Sequence, residues 1–127
     1  MKNSFSYSLF LYCIFSGTCI CAQEISSFAI CKKVESLEPV GITNHYETGD
    51  RAYAWMKVEG IDAGSTVFID WYAEDILEHT SKMKITSDPM RTYAYKTLYK
   101  RGIWKVMVRT FDNAILKEAT ITVGAYQ

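Results

Sequence analysis

The sequence lacks a surplus of charge of either sign, and it has few residues that interrupt regular structure. Its 127 residues include 14 basic and 14 acidic side chains, two prolines and seven glycines. A general nucleic-acid or anionic-membrane binder needs a basic surplus gathered on one face, so this balance argues against both classes. With 49% hydrophobic residues, the chain is too rich in core-forming side chains to be disordered, and its length suits one domain.

A long hydrophobic run is also missing. One charge, Lys2, precedes the apolar stretch of residues 9–15, which is far shorter than the roughly 20 residues of a membrane span. This pattern predicts a secretory signal peptide over residues 1–22, cleaved after Ala22. We therefore expect a single domain of residues 23–127, without a transmembrane span, exported to the periplasm or cell surface.

Cysteine is scarce once the signal peptide is set aside. Cys13, Cys19 and Cys21 lie in the predicted signal, so Cys31 is the one cysteine of the expected mature chain. A disulfide framework and a cysteine-based metal site are thereby excluded from that domain. Cys31 stands among apolar residues of a strand pattern, which predicts a buried thiol. Cys19 and Cys21 leave one alternative open, a lipoprotein acylated at either of them after cleavage.

Motifs that mark catalysis are absent from the sequence. The two histidines, His45 and His79, have no second histidine or cysteine at metal-ligand spacing. No Gly-x-Ser-x-Gly, Walker or dinucleotide-binding motif occurs. We therefore expect a protein that is not an enzyme, with no catalytic residues, no cofactor and no metal site.

What the sequence does contain is a series of short segments rich in β-branched and aromatic residues, separated by turn residues about every dozen positions. This spacing predicts an all-β fold, an immunoglobulin or fibronectin-III-like β-sandwich of about seven antiparallel strands. The proline of the segment 38–41 cannot donate to a ladder, so that segment is predicted as a short edge piece. The predicted strands cover residues 28–34, 51–59, 66–73, 76–85, 91–98, 103–110 and 115–123.

Alternation along the strands predicts which side chains face the core, because successive side chains point to opposite faces of a sheet. In residues 51–59 every second residue is apolar, which turns the intervening aromatic and basic residues outward. The same reasoning places Trp71 and Trp104 in the core. In a sandwich of this order, segments 51–59 and 91–98 pair in one sheet.

The candidate binding site is the outer face of that pair, an aromatic surface bordered by cations. Aromatic rings stack on sugars or apolar ligands, and Arg, Tyr and Trp are enriched at protein-binding hot spots. Two alternatives are that the register is offset by one, which puts some rings in the core, or that the aromatic pairs only stabilise the sheet. The candidate binding residues are Arg51, Tyr53, Trp55, Lys57, Arg91, Tyr93 and Tyr95.

Read in order, several short motifs resemble those of a bacterial family known as domain of unknown function 2914. The resemblance implies an accessory β-rich module, of a kind found at the C-terminal end of larger envelope or regulatory proteins, rather than a catalyst. The motifs are Ile30-Cys31, Glu38-Pro39-Val40-Gly41, Arg51-Ala52-Tyr53-Ala54-Trp55, Trp71-Tyr72, Arg91-Thr92-Tyr93-Ala94-Tyr95-Lys96, Gly102-Ile103-Trp104-Lys105-Val106 and Ile115-Leu116.

Together these features predict an exported, non-catalytic module that binds another envelope macromolecule, a protein or a polysaccharide, and no nucleic acid. One alternative is a carbohydrate-binding module that uses the same rings. Another is a structural or assembly subunit without a ligand.

Overall fold

The computed structural model describes residues 24–124, and the predicted signal peptide and acylation sites lie outside them. These residues form nine strands and no helix, so the predicted all-β sandwich is confirmed. Within this part of the chain no helix could cross a membrane. The strands are β1 (Glu24–Glu35), β2 (Glu38–Ile42), β3 (His45–Tyr46), β4 (Arg51–Glu59), β5 (Thr66–Ala73), β6 (Ile76–Lys84), β7 (Met90–Thr97), β8 (Gly102–Thr110) and β9 (Ile115–Val123).

The strands divide into two sheets. Sheet A has the order β2-β1-β4-β7, and sheet B has the order β3-β9-β8-β5-β6. Among the described strands, every pair is antiparallel except β3 with β9. The central orders β1-β4-β7 and β5-β8-β9 are those of strands A-B-E and C-F-G in an immunoglobulin-type sandwich. The strand count exceeds the predicted seven because β2 and β3 are short additional strands.

The core between the sheets follows from the alternation in the strands. Ala52, Ala54, Met56 and Val58 of β4 are buried against the other sheet. Trp71 and Trp104 belong to the same core cluster, as predicted. Each buried indole nitrogen has an acceptor: Trp104 Nε1 donates to the Lys100 carbonyl at 2.9 Å, and Trp71 Nε1 to Ser81 Oγ at 3.4 Å.

Strand β1 changes partner along its length, and this change shapes the outer face of sheet A. It pairs with β4 from Glu24 to Cys31, and from Cys31 onward it pairs with β2. Cys31 is buried, as predicted, and its Sγ lies 3.2 Å from the carbonyl oxygen of Lys33 and 3.8 Å from that of Tyr53. The β1–β2 hairpin that follows turns at Ser36 and Leu37, both of which have positive φ.

The tip of the β1–β2 hairpin folds back over the outer face of sheet A. The Leu37 carbonyl accepts a hydrogen bond from Trp55 Nε1 at 2.9 Å, and Glu38 forms an ion pair with Arg91. Trp55 lies beside Ala29, well before the end of the β1–β4 pairing. The hairpin therefore reverses direction and covers part of the face that β4 and β7 present.

Candidate functional site

The pairing of β4 with β7 brings the predicted candidate residues together. In this ladder Tyr53 lies opposite Tyr95 and Trp55 lies opposite Tyr93. The predicted pairing of these two segments is therefore confirmed, and the register is the one that turns the aromatic rings outward. Of the basic candidates, Lys57 lies opposite Arg91, and Arg51 lies at the end of the ladder, opposite Thr97.

Three tyrosine rings form one cluster on this face. The ring centroid of Tyr53 lies 5.7 Å from that of Tyr93 and 5.5 Å from that of Tyr95, with interplanar angles of 58° and 48°. Tyr93 and Tyr95 are 38% and 50% exposed. The tilted arrangement is favourable for aromatic pairs.

Arg51 extends the cluster with a cation. Its guanidinium carbon lies 4.5 Å from the ring centroid of Tyr95, within the range of a cation–π interaction. A side-chain hydrogen bond with Tyr53 is the main cause that raises the pKa of Arg51 above its ordinary value. We call Arg51, Tyr53, Tyr93 and Tyr95 together the tyrosine surface.

Trp55 faces outward but is not available for stacking. Its exposed fraction is 7%, and it is absent from the core cluster between the sheets. The hairpin tip accounts for this burial, because the Leu37 carbonyl sits at hydrogen-bond distance from the indole nitrogen. The expectation that Trp55 contributes an exposed ring is therefore wrong, since alternation identifies the face of a sheet but not what covers that face.

The remaining cations of the face are held by carboxylates. Arg91 pairs with Glu38 of the hairpin tip, and Lys57 pairs with Glu59 at 3.8 Å. Arg51 has no such partner among the described residues. The predicted site thus divides into an end where charges are paired and an end where Arg51 presents an unpaired charge.

A pocket of about 370 Å³ lies at the Arg51 end of the tyrosine surface. It is lined by Lys32, Asp50, Arg51 and Tyr53. Lys32 directly follows Cys31, which lies opposite Tyr53 in the pairing of β1 with β4. Lys32 was not among the predicted site residues, and the proline-containing edge segment was the one signal that this region departs from a regular strand.

The opposite sheet carries a polar cluster that the sequence reasoning also missed. Asp70 is 3% exposed although alternation turns it outward, because Arg109 and Thr80 cover it. Arg109 Nε donates to Asp70 Oδ2 at 2.5 Å, and Thr80 Oγ1 donates to Oδ1 at 2.7 Å. Arg109 also stacks on Phe68, with 4.6 Å between its guanidinium carbon and the ring centroid. Each charged group here is satisfied within the sheet, which indicates a structural role.

Within residues 24–124, no group of three His, Cys, Asp or Glu residues lies close enough together to hold a metal ion.

Known structures resemble the fold. A β-glucosidase from Listeria innocua in complex with glucose matches 83% of this chain with a TM-score of 0.53 at 11% identity, and the chain spans 16% of that enzyme's length. A CARDB domain from Pyrococcus furiosus, in complex with di-metal ions, matches 81% of this chain and 97% of its own at 12% identity, with a TM-score of 0.46. The match to the β-glucosidase shows a similar fold and nothing more. No curated protein matches the chain.

The sequence itself matches one family model. The family is described as Protein of unknown function (DUF2914), and the match covers residues 64–123, which include strands β5 to β9. The resemblance found in the motifs is thereby confirmed. Over this segment the chain is similar to the DUF2914 family.

Proposed function

We propose that this chain is an exported, non-catalytic β-sandwich module that binds a protein of the cell envelope through its tyrosine surface. The observation that supports this most directly is the cluster of three tyrosines with Arg51 stacked on one of them. Tyrosine and arginine dominate the energetics of protein interfaces, because each combines a large contact area with directional polar groups. A cluster of partly exposed rings on a small domain is typical of a binding surface.

The ring geometry favours a protein over a polysaccharide. A sugar ring stacks best on a flat aromatic face, whereas Tyr53 is inclined by 58° and 48° to its two neighbours. The burial of Trp55 also removes the largest ring from the exposed set. Tilted rings that carry hydroxyl groups suit the irregular, mixed apolar and polar contour of a protein partner.

Export is part of the proposal and has its own measurement. Residues 1–22 have the charge, apolar stretch and small residue of a secretory signal. The intact mass of the chain recovered from its native host should correspond to cleavage after Ala22. A mass that includes diacylglycerol at Cys19 or Cys21 would support the lipoprotein alternative, and an uncleaved mass would contradict export by this signal.

The binding role is tested by affinity capture from envelope extract with three forms of the processed chain. The wild type and Phe111→Ala, an exposed ring on the turn between β8 and β9, should retain the same protein. The double variant Tyr53→Ala/Tyr95→Ala should lose that protein while its thermal unfolding stays cooperative. Retention by all three forms, or by none, would contradict the proposal. Recovery of polysaccharide alone would support the carbohydrate-binding alternative.

A further inference from the structure

We propose that the pocket between Lys32 and Arg51 receives an acidic side chain of the protein partner, next to an apolar residue that packs on the tyrosine surface. This inference rests on the proposed function and specifies the partner's chemistry. The pocket measures about 370 Å³. That volume falls near the lower end of the roughly 300–1,000 Å³ typical of ligand pockets, and it leaves room for an acidic side chain together with part of its neighbour.

The distribution of paired charges on the outer face of sheet A shows which end of the face can accept an anion. Three cations near the hairpin already have carboxylate partners: Lys33 with Glu35 at 3.0 Å, Lys57 with Glu59 at 3.8 Å, and Arg91 with Glu38. In the described part of the chain, Lys32 and Arg51 have no carboxylate within 4.0 Å. An incoming anion therefore meets unpaired positive charge at this pocket and paired charge elsewhere on the face.

Asp50 lines the pocket but does not neutralise it. Its Oδ2 accepts the backbone N–H of Glu47 at 2.9 Å, which commits the carboxylate to the turn before β4. Its backbone is also fixed, because Gly49 N–H donates to the Leu98 carbonyl at 2.7 Å and Leu98 N–H donates to the Asp50 carbonyl at 2.8 Å. One turn-bound carboxylate against two cations leaves a net positive charge in the pocket.

The stacking of Arg51 prepares its guanidinium for a carboxylate. One face of the planar group lies over Tyr95, so rotation of the guanidinium is restricted. The N–H donors of a guanidinium lie in its plane, which stacking on Tyr95 leaves open. Tyr53 engages Arg51 through a side-chain hydrogen bond, and the remaining donors can bond to a carboxylate. Because Tyr53 lines the pocket and Tyr95 lies under Arg51, a partner can place an acidic side chain on Arg51 and an adjacent apolar side chain on the rings.

The same charge pattern argues against a polyanion as the occupant. An acidic polysaccharide or a nucleic acid needs a row of unpaired cations spaced along its backbone. On this face Glu35, Glu38 and Glu59 alternate with the lysines and arginines that they pair with. Repeated anionic groups would meet these carboxylates as soon as they extended beyond the pocket. A single acidic residue on a protein partner avoids that repulsion.

The test is selection of a displayed random peptide library on the processed wild-type chain, with elution at increasing salt. Peptides enriched in Asp or Glu beside an aromatic or aliphatic residue are expected. For a selected peptide, replacing its acidic residue with the amide should lower affinity about tenfold, and Arg51→Gln should lower it by a similar factor. Both changes together should lower affinity little more than either alone, because they remove the same contact.

Matched variants separate this inference from the proposed function. Lys32→Gln should weaken the acidic peptide without affecting its amide form, and Lys117→Gln, a cation exposed on sheet B, should change neither. Peptides that require Tyr53 and Tyr95 but show no acidic preference would overturn the acid pocket and leave the proposed function in place. Absence of any peptide that depends on these tyrosines would overturn both. If the losses of affinity from the amide peptide and from Arg51→Gln were additive, the acidic residue would not contact Arg51 directly.

Discussion

The indole nitrogen of Trp55 donates a hydrogen bond to the carbonyl oxygen of Leu37 at 2.9 Å, which ties strand β4 to the tip of the β1–β2 hairpin. The bond explains why an outward-facing tryptophan is buried. It also fixes where the hairpin lies, because the adjacent Glu38 then reaches Arg91. Trp55 therefore anchors the hairpin to sheet A beside the tyrosine surface, and its ring is not exposed for binding.

The first prediction concerns the stability that Trp55 supplies. Trp55→Ala should lower the free energy of unfolding by about 3–5 kcal/mol, because it empties a buried aromatic site. Trp55→Phe keeps most of the packing and loses the hydrogen bond to Leu37, so its cost should be about 1 kcal/mol. Urea unfolding, followed by tyrosine and tryptophan fluorescence and by far-ultraviolet circular dichroism, measures both.

Tyr95→Ala is the matched control for Trp55, since it removes a half-exposed ring from the neighbouring strand. Its loss of stability should be smaller than that of Trp55→Ala. Equal and small losses for the two variants would mean that the hairpin tip does not cover Trp55 in solution.

Much of the fold was predictable because the strands alternate regularly. The predicted segments 51–59, 66–73 and 115–123 coincide with β4, β5 and β9. Their apolar positions identify the core face, and the strand order of a sandwich then implies that β4 and β7 are neighbours. The tyrosine surface followed from those two steps alone.

The position of the β1–β2 hairpin over the outer face of sheet A was not predictable by the same reasoning. Alternation specifies the direction of a side chain but not whether another segment lies over it. The hairpin turn uses Ser36 and Leu37 at φ of 51° and 61°, a conformation that glycine and asparagine favour, so its residues gave no turn signal. The burial of Trp55 depends on that turn, because Leu37 accepts the hydrogen bond of its indole nitrogen.

The second prediction concerns the buried ion pair of sheet B. Asp70→Asn should lower stability by about 1–3 kcal/mol, because it leaves the partly buried Arg109 guanidinium without its carboxylate. In a double-mutant cycle with Arg109→Gln, the interaction energy should exceed about 0.5 kcal/mol, since the two side chains touch.

The pair Lys105–Glu118 on the same sheet is the control for Asp70. Its charged atoms lie 3.5 Å apart and both side chains are partly exposed, so Glu118→Gln should change stability by less than about 0.5 kcal/mol. If Asp70→Asn were as mild as Glu118→Gln, the burial of Asp70 would contribute no measurable stability.

The third prediction is a loss of stability in mild alkali that depends on Cys31. Burial raises the pKa of the Cys31 thiol, so the folded protein keeps the proton that the unfolded chain loses above about pH 8.5. The stabilisation is fully present below that pH and is lost as the pH rises towards the raised pKa, by at most about 1.4 kcal/mol per pH unit. Urea unfolding between pH 7 and pH 9.5 measures the slope.

Cys31→Ala removes the titrating group and is expected to flatten this part of the pH profile. Burial also raises the pKa of Tyr46, but the ordinary pKa of a tyrosine is about 10, so Tyr46 contributes above the range measured. Identical slopes for the wild type and Cys31→Ala would show that the thiol is not protected from solvent in the folded protein.

The fourth prediction concerns the start of β8. Gly102 has a φ of 120°, in the region that favours glycine. A Cβ atom at this position would also collide with the carboxylate of Glu74, which accepts the backbone N–H of Ile103 at 2.6 Å. Gly102→Ala should therefore destabilise the protein by about 1–3 kcal/mol through both backbone strain and the displaced carboxylate, as measured by urea unfolding.

Gly64→Ala separates the two causes, because Gly64 has a comparable φ of 96° but nothing within 4 Å of the added Cβ. The stability lost in Gly64→Ala should reflect backbone strain alone, and it should be smaller than the stability lost in Gly102→Ala. In the background Glu74→Ala, which removes the carboxylate, the further cost of Gly102→Ala should fall to about that of Gly64→Ala. An undiminished cost in that background would show that strain alone accounts for the effect, and that Glu74 adapts freely to the added methyl group.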